Sequence, residues 1–66
     1  MHIRLNGEPV TYPSGTTLQA LVKALNLEPE RVAIELNRAI VRRESWMTTE
    51  IAEGSEVEIV MFVGGG

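Results

Sequence analysis

The sequence predicts a small α+β domain in which a mixed β-sheet packs on a single helix. Three observations predict it: an early hairpin signal, one amphipathic helical stretch, and several short alternating segments after it. One helix cannot cover both faces of a sheet, so burial of its apolar stripe requires the helix to lie across one face. We expect the first and last strands to pair in parallel at the centre of the sheet.

The first two strands are predicted over residues 2–6 and 9–13. Ile3 and Leu5 alternate with polar residues, and Asn6-Gly7 follows. This dipeptide is the strongest short hairpin signal because both residues tolerate positive φ. Pro9 must then lie where the strand ladder needs no N–H donor. The segment therefore predicts a β-hairpin.

The helix is predicted over residues 17–26. Thr16 and Gln19 have the spacing of a capping box, in which each side chain satisfies a backbone donor at the helix start. Asn26 is a suitable end, and Pro29 opposes continuation. The apolar positions recur at i, i+3, i+4 and i+7, which predicts one buried helical stripe: Leu18, Leu21, Val22 and Leu25.

Further strands are predicted at residues 32–36, at 40–41 and from residue 57 onward, with turns at 37–38 and 53–55. Residues 42–49 show no clean period. In the last strand Val57, Ile59 and Met61 alternate with Glu58, Val60 and Phe62. If the first set faces the helix, Val60 and Phe62 face outward. Together with Val63 they are predicted to form a docking surface, unless the Trp46 segment covers them.

Composition excludes several classes of protein. The 66-residue chain has no cysteine and a single histidine, His2, so neither a disulfide nor a histidine or thiolate zinc site is available. The net charge of −3 argues against nucleic acid as a partner. No apolar run is long enough to cross a bilayer. The absence of an export signal and of cysteine predicts a cytoplasmic protein.

No catalytic constellation or metal-ligand spacing is present in the sequence. His2 is interpreted as a surface residue rather than a proton shuttle. Three arginines are interpreted as part of a solvated loop rather than as a binding site for a phosphate or an acidic partner: Arg38, Arg42 and Arg43. Trp46 is interpreted as a cap on the small core rather than a docking anchor. The nine acidic residues are all glutamates, which are scattered and predict a solvated surface.

The sequence ends in Gly64-Gly65-Gly66. Glycine loses the most conformational entropy on folding, so residues 64–66 are predicted to be a flexible tail behind a domain at residues 1–63. A thin arm without side chains can enter a narrow channel and present the Gly66 carboxylate. The alternative is an ordinary flexible terminus.

The whole chain resembles the sulfur carrier proteins of thiamin biosynthesis, the ThiS family. The resemblance rests on the Asn-Gly hairpin, the Ser14-Gly15-Thr16-Thr17-Leu18 helix entry and the segment Ile40-Val41-Arg42-Arg43-Glu44-Ser45-Trp46. It continues through the turn at residues 53–55 to the ending Phe62-Val63-Gly64-Gly65-Gly66. It implies the ubiquitin-like β-grasp fold.

The resemblance also implies a chemistry and a set of partners. A ubiquitin-activating-like enzyme would use ATP to convert the Gly66 carboxylate into an acyl adenylate, and the chain itself would bind no cofactor. Sulfur from a cysteine desulfurase or another donor would displace AMP and leave a thiocarboxylate. Thiazole synthase would then take the sulfur into the thiazole ring, using deoxyxylulose phosphate and a glycine-derived imine. The chain would be a carrier and not an enzyme.

The sequence is also compatible with other functions. A sulfur carrier of molybdopterin synthesis would have the same fold and tail, and a small protein modifier or a carrier for tRNA thiolation is a second alternative. A β-grasp interaction module without tail chemistry is a different class of protein. Removal of Gly66 would separate this last class from the carriers.

Overall fold

The computed structural model describes residues 1–63 of the chain. One sheet has the strand order β2-β1-β5-β3-β4, and the helix α1 packs on one of its faces. The predicted mixed sheet on a single helix is therefore confirmed. The elements are β1 His2–Leu5, β2 Glu8–Thr11, α1 Leu18–Ala24, β3 Val32–Leu36, β4 Ala39–Val41 and β5 Glu56–Met61, with 3₁₀ segments at Pro29–Arg31 and Arg43–Thr48.

The last strand occupies the centre of the sheet. β5 pairs in parallel with β1, where Leu5 lies opposite Val57. On its other side β5 pairs antiparallel with β3, where Ile34 lies opposite Ile59. The predicted central pairing of the first and last strands is confirmed. The chain therefore leaves the domain from a strand that pairs with β1 over its first part and with β3 as far as Met61.

Two tight turns connect the antiparallel pairs. Asn6 and Gly7 have φ of 51° and 84°, and Asn37 and Arg38 have φ of 51° and 72°. Positive φ at both central residues is the signature of the type I′ turn, whose twist matches that of the flanking strands. The hairpin and the turn at 37–38 were both predicted. Arg38 is an unusual residue in this turn, because an arginine side chain disfavours positive φ.

The helix buries the predicted stripe. Leu18, Leu21 and Val22 are at most 2% exposed, and Leu25 is half-buried. They pack into one core cluster with residues of the inner sheet face and with Trp46. The sheet and loop members of this cluster are Ile3, Val32, Ile34, Ile51, Val57 and Ile59. No helix within residues 1–63 is long and apolar enough to cross a membrane.

The two ends of the helix differ in how well the sequence predicted them. The N-cap is Thr17, whose Oγ1 accepts the Ala20 N–H at 3.1 Å. The predicted capping box of Thr16 and Gln19 is wrong, because the Thr16 hydroxyl donates to the Pro13 carbonyl at 2.7 Å. Asn26 stops the helix as predicted, although the last helical residue is Ala24, two residues before the predicted bound.

At that end, Asn26 has φ of 59°, and its N–H donates to the Lys23 carbonyl. The Leu27 N–H donates to the Val22 carbonyl. These two bonds form a Schellman motif, which satisfies carbonyls left free by the last helical turn.

The segment without a clean period in the sequence forms the 3₁₀ segment Arg43–Thr48. Trp46 is its buried residue, with 3% exposure, and its indole Nε1–H donates to the Val41 carbonyl at 2.8 Å. The interpretation of Trp46 as a core cap is confirmed.

Candidate functional site

The candidate site lies where the chain leaves the sheet. β5 ends at Met61, and the next N–H, of Phe62, donates to the Arg31 carbonyl at 2.8 Å. Val63 is the last residue that the structure describes. The predicted tail, Gly64, Gly65 and Gly66, lies outside the described residues. Its flexibility and the role of its carboxylate stay predictions.

The predicted docking residues are exposed beside this exit. Val60 and Phe62 are each 54% exposed, and Val63 is 97% exposed. Val60 lies opposite Ala33 on the face of the sheet that the helix leaves open. The Trp46 segment does not cover them, since Trp46 points into the core. Their exposure is as expected, and their docking role stays a prediction.

The open face changes from apolar to charged along β5. Glu58 lies directly opposite Glu35, two residues before Val60. Like charges directly opposite each other on antiparallel strands are unfavourable, so the fold alone does not account for this pair. Ile40, which lies opposite Glu35 on β4, is 73% exposed and is in register with this charged pair. The sequence analysis missed these residues because they come together only through the strand register.

Asn6 connects the first hairpin to the last strand. Its side-chain Oδ1 accepts the Ile59 N–H at 2.8 Å, and its Nδ2 donates to the Ile59 carbonyl at 3.3 Å. The side-chain amide therefore takes the place of a backbone peptide group at the point where β1 has ended. This contact, too, depends on the parallel register and could not be seen in the sequence.

The other singled-out residues lie on the surface. His2 is exposed, and its backbone N–H donates to the Glu53 carboxylate at 2.9 Å. This hydrogen bond, more than the nearby imidazole, lowers the pKa of Glu53. Arg38 lies 3.7 Å from Glu56. A solvated position for these side chains is confirmed.

The remaining two arginines of the predicted loop, Arg42 and Arg43, are also exposed, and Arg42 lies 3.4 Å from Glu44. Across residues 1–63, no three histidine or carboxylate side chains group in a way that could hold a metal ion. The candidate site is thus an exposed apolar surface beside an exit, without a catalytic cluster among the described residues.

The fold defines the class as ubiquitin-like β-grasp proteins. The crystal structure of a thiamine biosynthesis protein (ThiS) from Geobacter metallireducens superimposes with a TM-score of 0.86, covers both chains completely and is 33% identical. The sulfur carrier protein ThiS of Bacillus subtilis is 37% identical over 97% of this chain and 98% of its own length. The ThiS family model matches residues 3–66. The chain belongs to the ThiS family.

A further relative has a different length. The thiazole synthase of Magnetococcus marinus is 44% identical to this chain over all 66 residues. The chain spans only 20% of the length of that relative. A region similar to this domain is therefore part of a larger polypeptide in that protein.

Proposed function

We propose that the chain serves thiamin biosynthesis as a sulfur carrier and that the Gly66 carboxylate carries the sulfur. The observation that carries the proposal is the position of β5. This central strand leads directly to the terminal glycines, and exposed apolar residues lie beside the exit. The folded domain would be recognised while the tail reaches a partner's active site. Membership in the ThiS family supports this assignment over the other sulfur carriers.

The chemistry requires activation of the tail. A terminal carboxylate is ionised at neutral pH and is a poor electrophile. One of its oxygens attacks the α-phosphorus of ATP in the adenylating enzyme, and pyrophosphate leaves. The outer sulfur of a persulfide, formed by a cysteine desulfurase or another donor, then attacks the acyl carbon and AMP leaves, which gives an acyl disulfide. A thiol attacks the donor-side sulfur of this disulfide, forms a new disulfide with the donor and releases the acyl sulfur. The product is a thiocarboxylate, which thiazole synthase consumes. ATP is bound by the partner and not by this chain.

Shortening the tail tests the role of Gly66. Because three glycines are consecutive, removal of Gly66 leaves a chain that still ends in Gly-Gly but is shorter by about 3.3–3.6 Å. A misplacement of about 1 Å can cost roughly 100-fold in rate, so we expect at least that loss in thiocarboxylate formation. Intact mass after incubation with ATP, the adenylating enzyme and a sulfur source measures it.

Two controls accompany this experiment. Gly66→Ala keeps the length and the carboxylate but adds a methyl group at the tip, so its rate reports the width of the channel. A chain with one alanine appended after Gly66 keeps every residue but moves the carboxylate, and it should not be thiocarboxylated. Equal rates for the full and shortened chains would overturn the sulfur-carrier proposal and favour an interaction module.

A further inference from the structure

β5 is longer than the strand beside it. β1 ends at Leu5, which lies opposite Val57, whereas β5 continues to Met61. The chain of β1 turns away at Asn6-Gly7 into the hairpin. The space next to the last part of β5, in line with β1, is therefore not occupied by a strand among the described residues. We call this space, flanked by Asn6 and Met61, the vacant lane.

The hydrogen bonds of β5 show which residues face this lane. Backbone groups alternate between the two edges of a strand. Those of Glu56 and Phe62 bond toward β3: the Glu56 carbonyl accepts the Asn37 N–H, and the Phe62 N–H donates to the Arg31 carbonyl. Residues of the other parity therefore face β1 and the vacant lane.

On that edge, the Val57 carbonyl accepts the Asn6 N–H at 2.8 Å. The Asn6 side-chain amide then forms hydrogen bonds with both the N–H and the carbonyl of Ile59. Met61 comes next on the same edge, and Val63 follows beyond the end of β5, at a bend in the chain. Their N–H and C=O groups have no hydrogen-bond partner within residues 1–63. The last part of β5 therefore presents an unpaired edge immediately before the tail.

An apolar groove lies beneath this edge. The groove has a volume of about 500 Å³ and lies between the end of the helix and the first hairpin. A strand in the vacant lane would direct every second side chain toward the helix side of the sheet, and hence into this groove. Its apolar lining consists of Leu5, Leu25, Leu27, Ile59 and Met61.

We propose that the vacant lane receives an extended segment of thiazole synthase, which pairs with Met61 and Val63 as an added strand and places an apolar side chain in the groove. Addition of a strand to a free sheet edge is a recurring mode of recognition, in which backbone bonds give affinity and side-chain pockets give specificity. This inference rests on the proposed function and names the surface that the acceptor enzyme would use.

Two observations favour thiazole synthase as the occupant. In the Magnetococcus marinus relative, a region similar to this chain lies within a thiazole synthase polypeptide. In addition, only three residues separate Val63 from the terminal carboxylate of Gly66. Three residues reach at most about 10 Å, so a segment bound at Met61 and Val63 would hold the tail exit close to the enzyme surface.

A proline substitution tests the pairing. Val63→Pro removes an N–H that has no partner among the described residues, so the variant should fold as the wild type does. In the complex it would leave an acceptor on the added strand unpaired, and we expect affinity for the thiazole synthase of the same genome to fall roughly tenfold. Val63→Ala keeps the N–H and is the matched control, with a smaller loss expected.

Amide hydrogen exchange provides a second readout on the unmodified full chain. The Met61 and Val63 amides should become protected when thiazole synthase is added. The Val60 amide belongs to the β3 side in the free protein and is the internal reference. Thermal unfolding of both Val63 variants confirms that they are folded before binding is compared.

These measurements need no sulfur transfer, so a failure of this inference can be told apart from a failure of the proposed function. The inference is overturned if thiazole synthase does not bind, if Val63→Pro binds as tightly as Val63→Ala, or if the Met61 and Val63 amides exchange freely in the complex. Protection that rises with the concentration of the free chain would assign the lane to a second copy and would also overturn it. Thiocarboxylate formation, measured separately, decides the function.

Discussion

At the scale of single residues, Asn6 combines a local and a long-range role. Its φ of 51° follows from the Asn-Gly turn, which the sequence predicted. Its side-chain bonds to Ile59, 53 residues away, follow only from the register of two parallel strands. The residue therefore closes the hairpin and also extends the central pairing beyond the end of β1.

Replacement of Asn6 by glycine separates these roles. Asn6→Gly keeps the freedom to adopt positive φ but removes both side-chain hydrogen bonds to Ile59. Two partly buried bonds are together worth about 1–3 kcal/mol, so the free energy of unfolding should fall by about that amount. Urea unfolding measures the change.

Asn26→Gly is the matched control. Asn26 also has positive φ, at 59°, but its side chain makes no hydrogen bond within the described part of the chain. Glycine is the preferred residue at this position after a helix, so stability should change by only a few tenths of a kcal/mol. Equal losses in the two variants would show that the Asn6 side chain contributes nothing beyond its φ.

At the scale of elements, the helix is the part that periodicity predicted best. The repeat of apolar residues fixed which face of α1 is buried, and Leu18, Leu21 and Val22 are the residues found there. The N-cap was not predicted correctly, because Thr16 and Thr17 have equally suitable hydroxyls. The backbone decides between them: the Leu18 N–H donates to the Thr49 carbonyl, which places Thr17 at the helix start.

Truncation of the helix stripe should be costly. Leu21 is fully buried against the sheet, so Leu21→Ala should lower the free energy of unfolding by roughly 2–5 kcal/mol, through lost burial and the cavity left behind. Chemical denaturation measures it. Gln19→Ala, at an exposed position of the same helix, should be nearly neutral. A well-folded Leu21→Ala protein with wild-type stability would contradict the observed packing.

The segment Arg43–Thr48 shows where local patterns fail. Its 3₁₀ turns have no apolar repeat, and the segment is held by burial of Trp46 and by the indole bond to Val41. Both contacts come from the tertiary structure.

Met61 shows a limit of predicting burial from alternation. It alternates with Val57 and Ile59 as predicted, but the helix ends before it can cover Met61. It lines the open groove instead.

At the scale of the whole molecule, the two faces of the sheet differ in what they bury. One face packs on the helix and contains the core, whereas the open face carries Val60 and Phe62 beside the exit. Alternation along β5 was sufficient to predict that these two residues face outward. The charged pair Glu35 and Glu58 could not be predicted, because strand register is set by contacts distant in sequence.

This difference predicts that Phe62 can be changed without loss of the fold. Phe62→Glu should leave the unfolding temperature nearly unchanged, since half of the side chain is already in water. It should slow adenylation roughly tenfold at low concentrations of the chain, because an apolar anchor at an interface typically costs more than about 1 kcal/mol when lost. Single-turnover adenylation at varied chain concentration measures it.

Met47→Glu is the control for this variant. Met47 is 66% exposed, somewhat more than Phe62, but it lies on the 3₁₀ segment beside Trp46 and not at the end of β5. Its adenylation rate should match that of the wild type. If both variants slow the reaction equally, then added negative charge and not the loss of a specific contact is responsible.

The central position of β5 has a mechanical consequence. If a partner binds the chain beyond β5 and exerts a force on it, that force acts on the end of this strand. The antiparallel hydrogen bonds between β5 and β3 run perpendicular to the axis of the strand, and β3 meets β5 over five registered pairs from Val32–Met61 to Leu36–Val57. A pull along this axis shears all of these bonds together instead of opening them one by one. The domain would therefore resist unfolding if a partner pulled on this end of the chain.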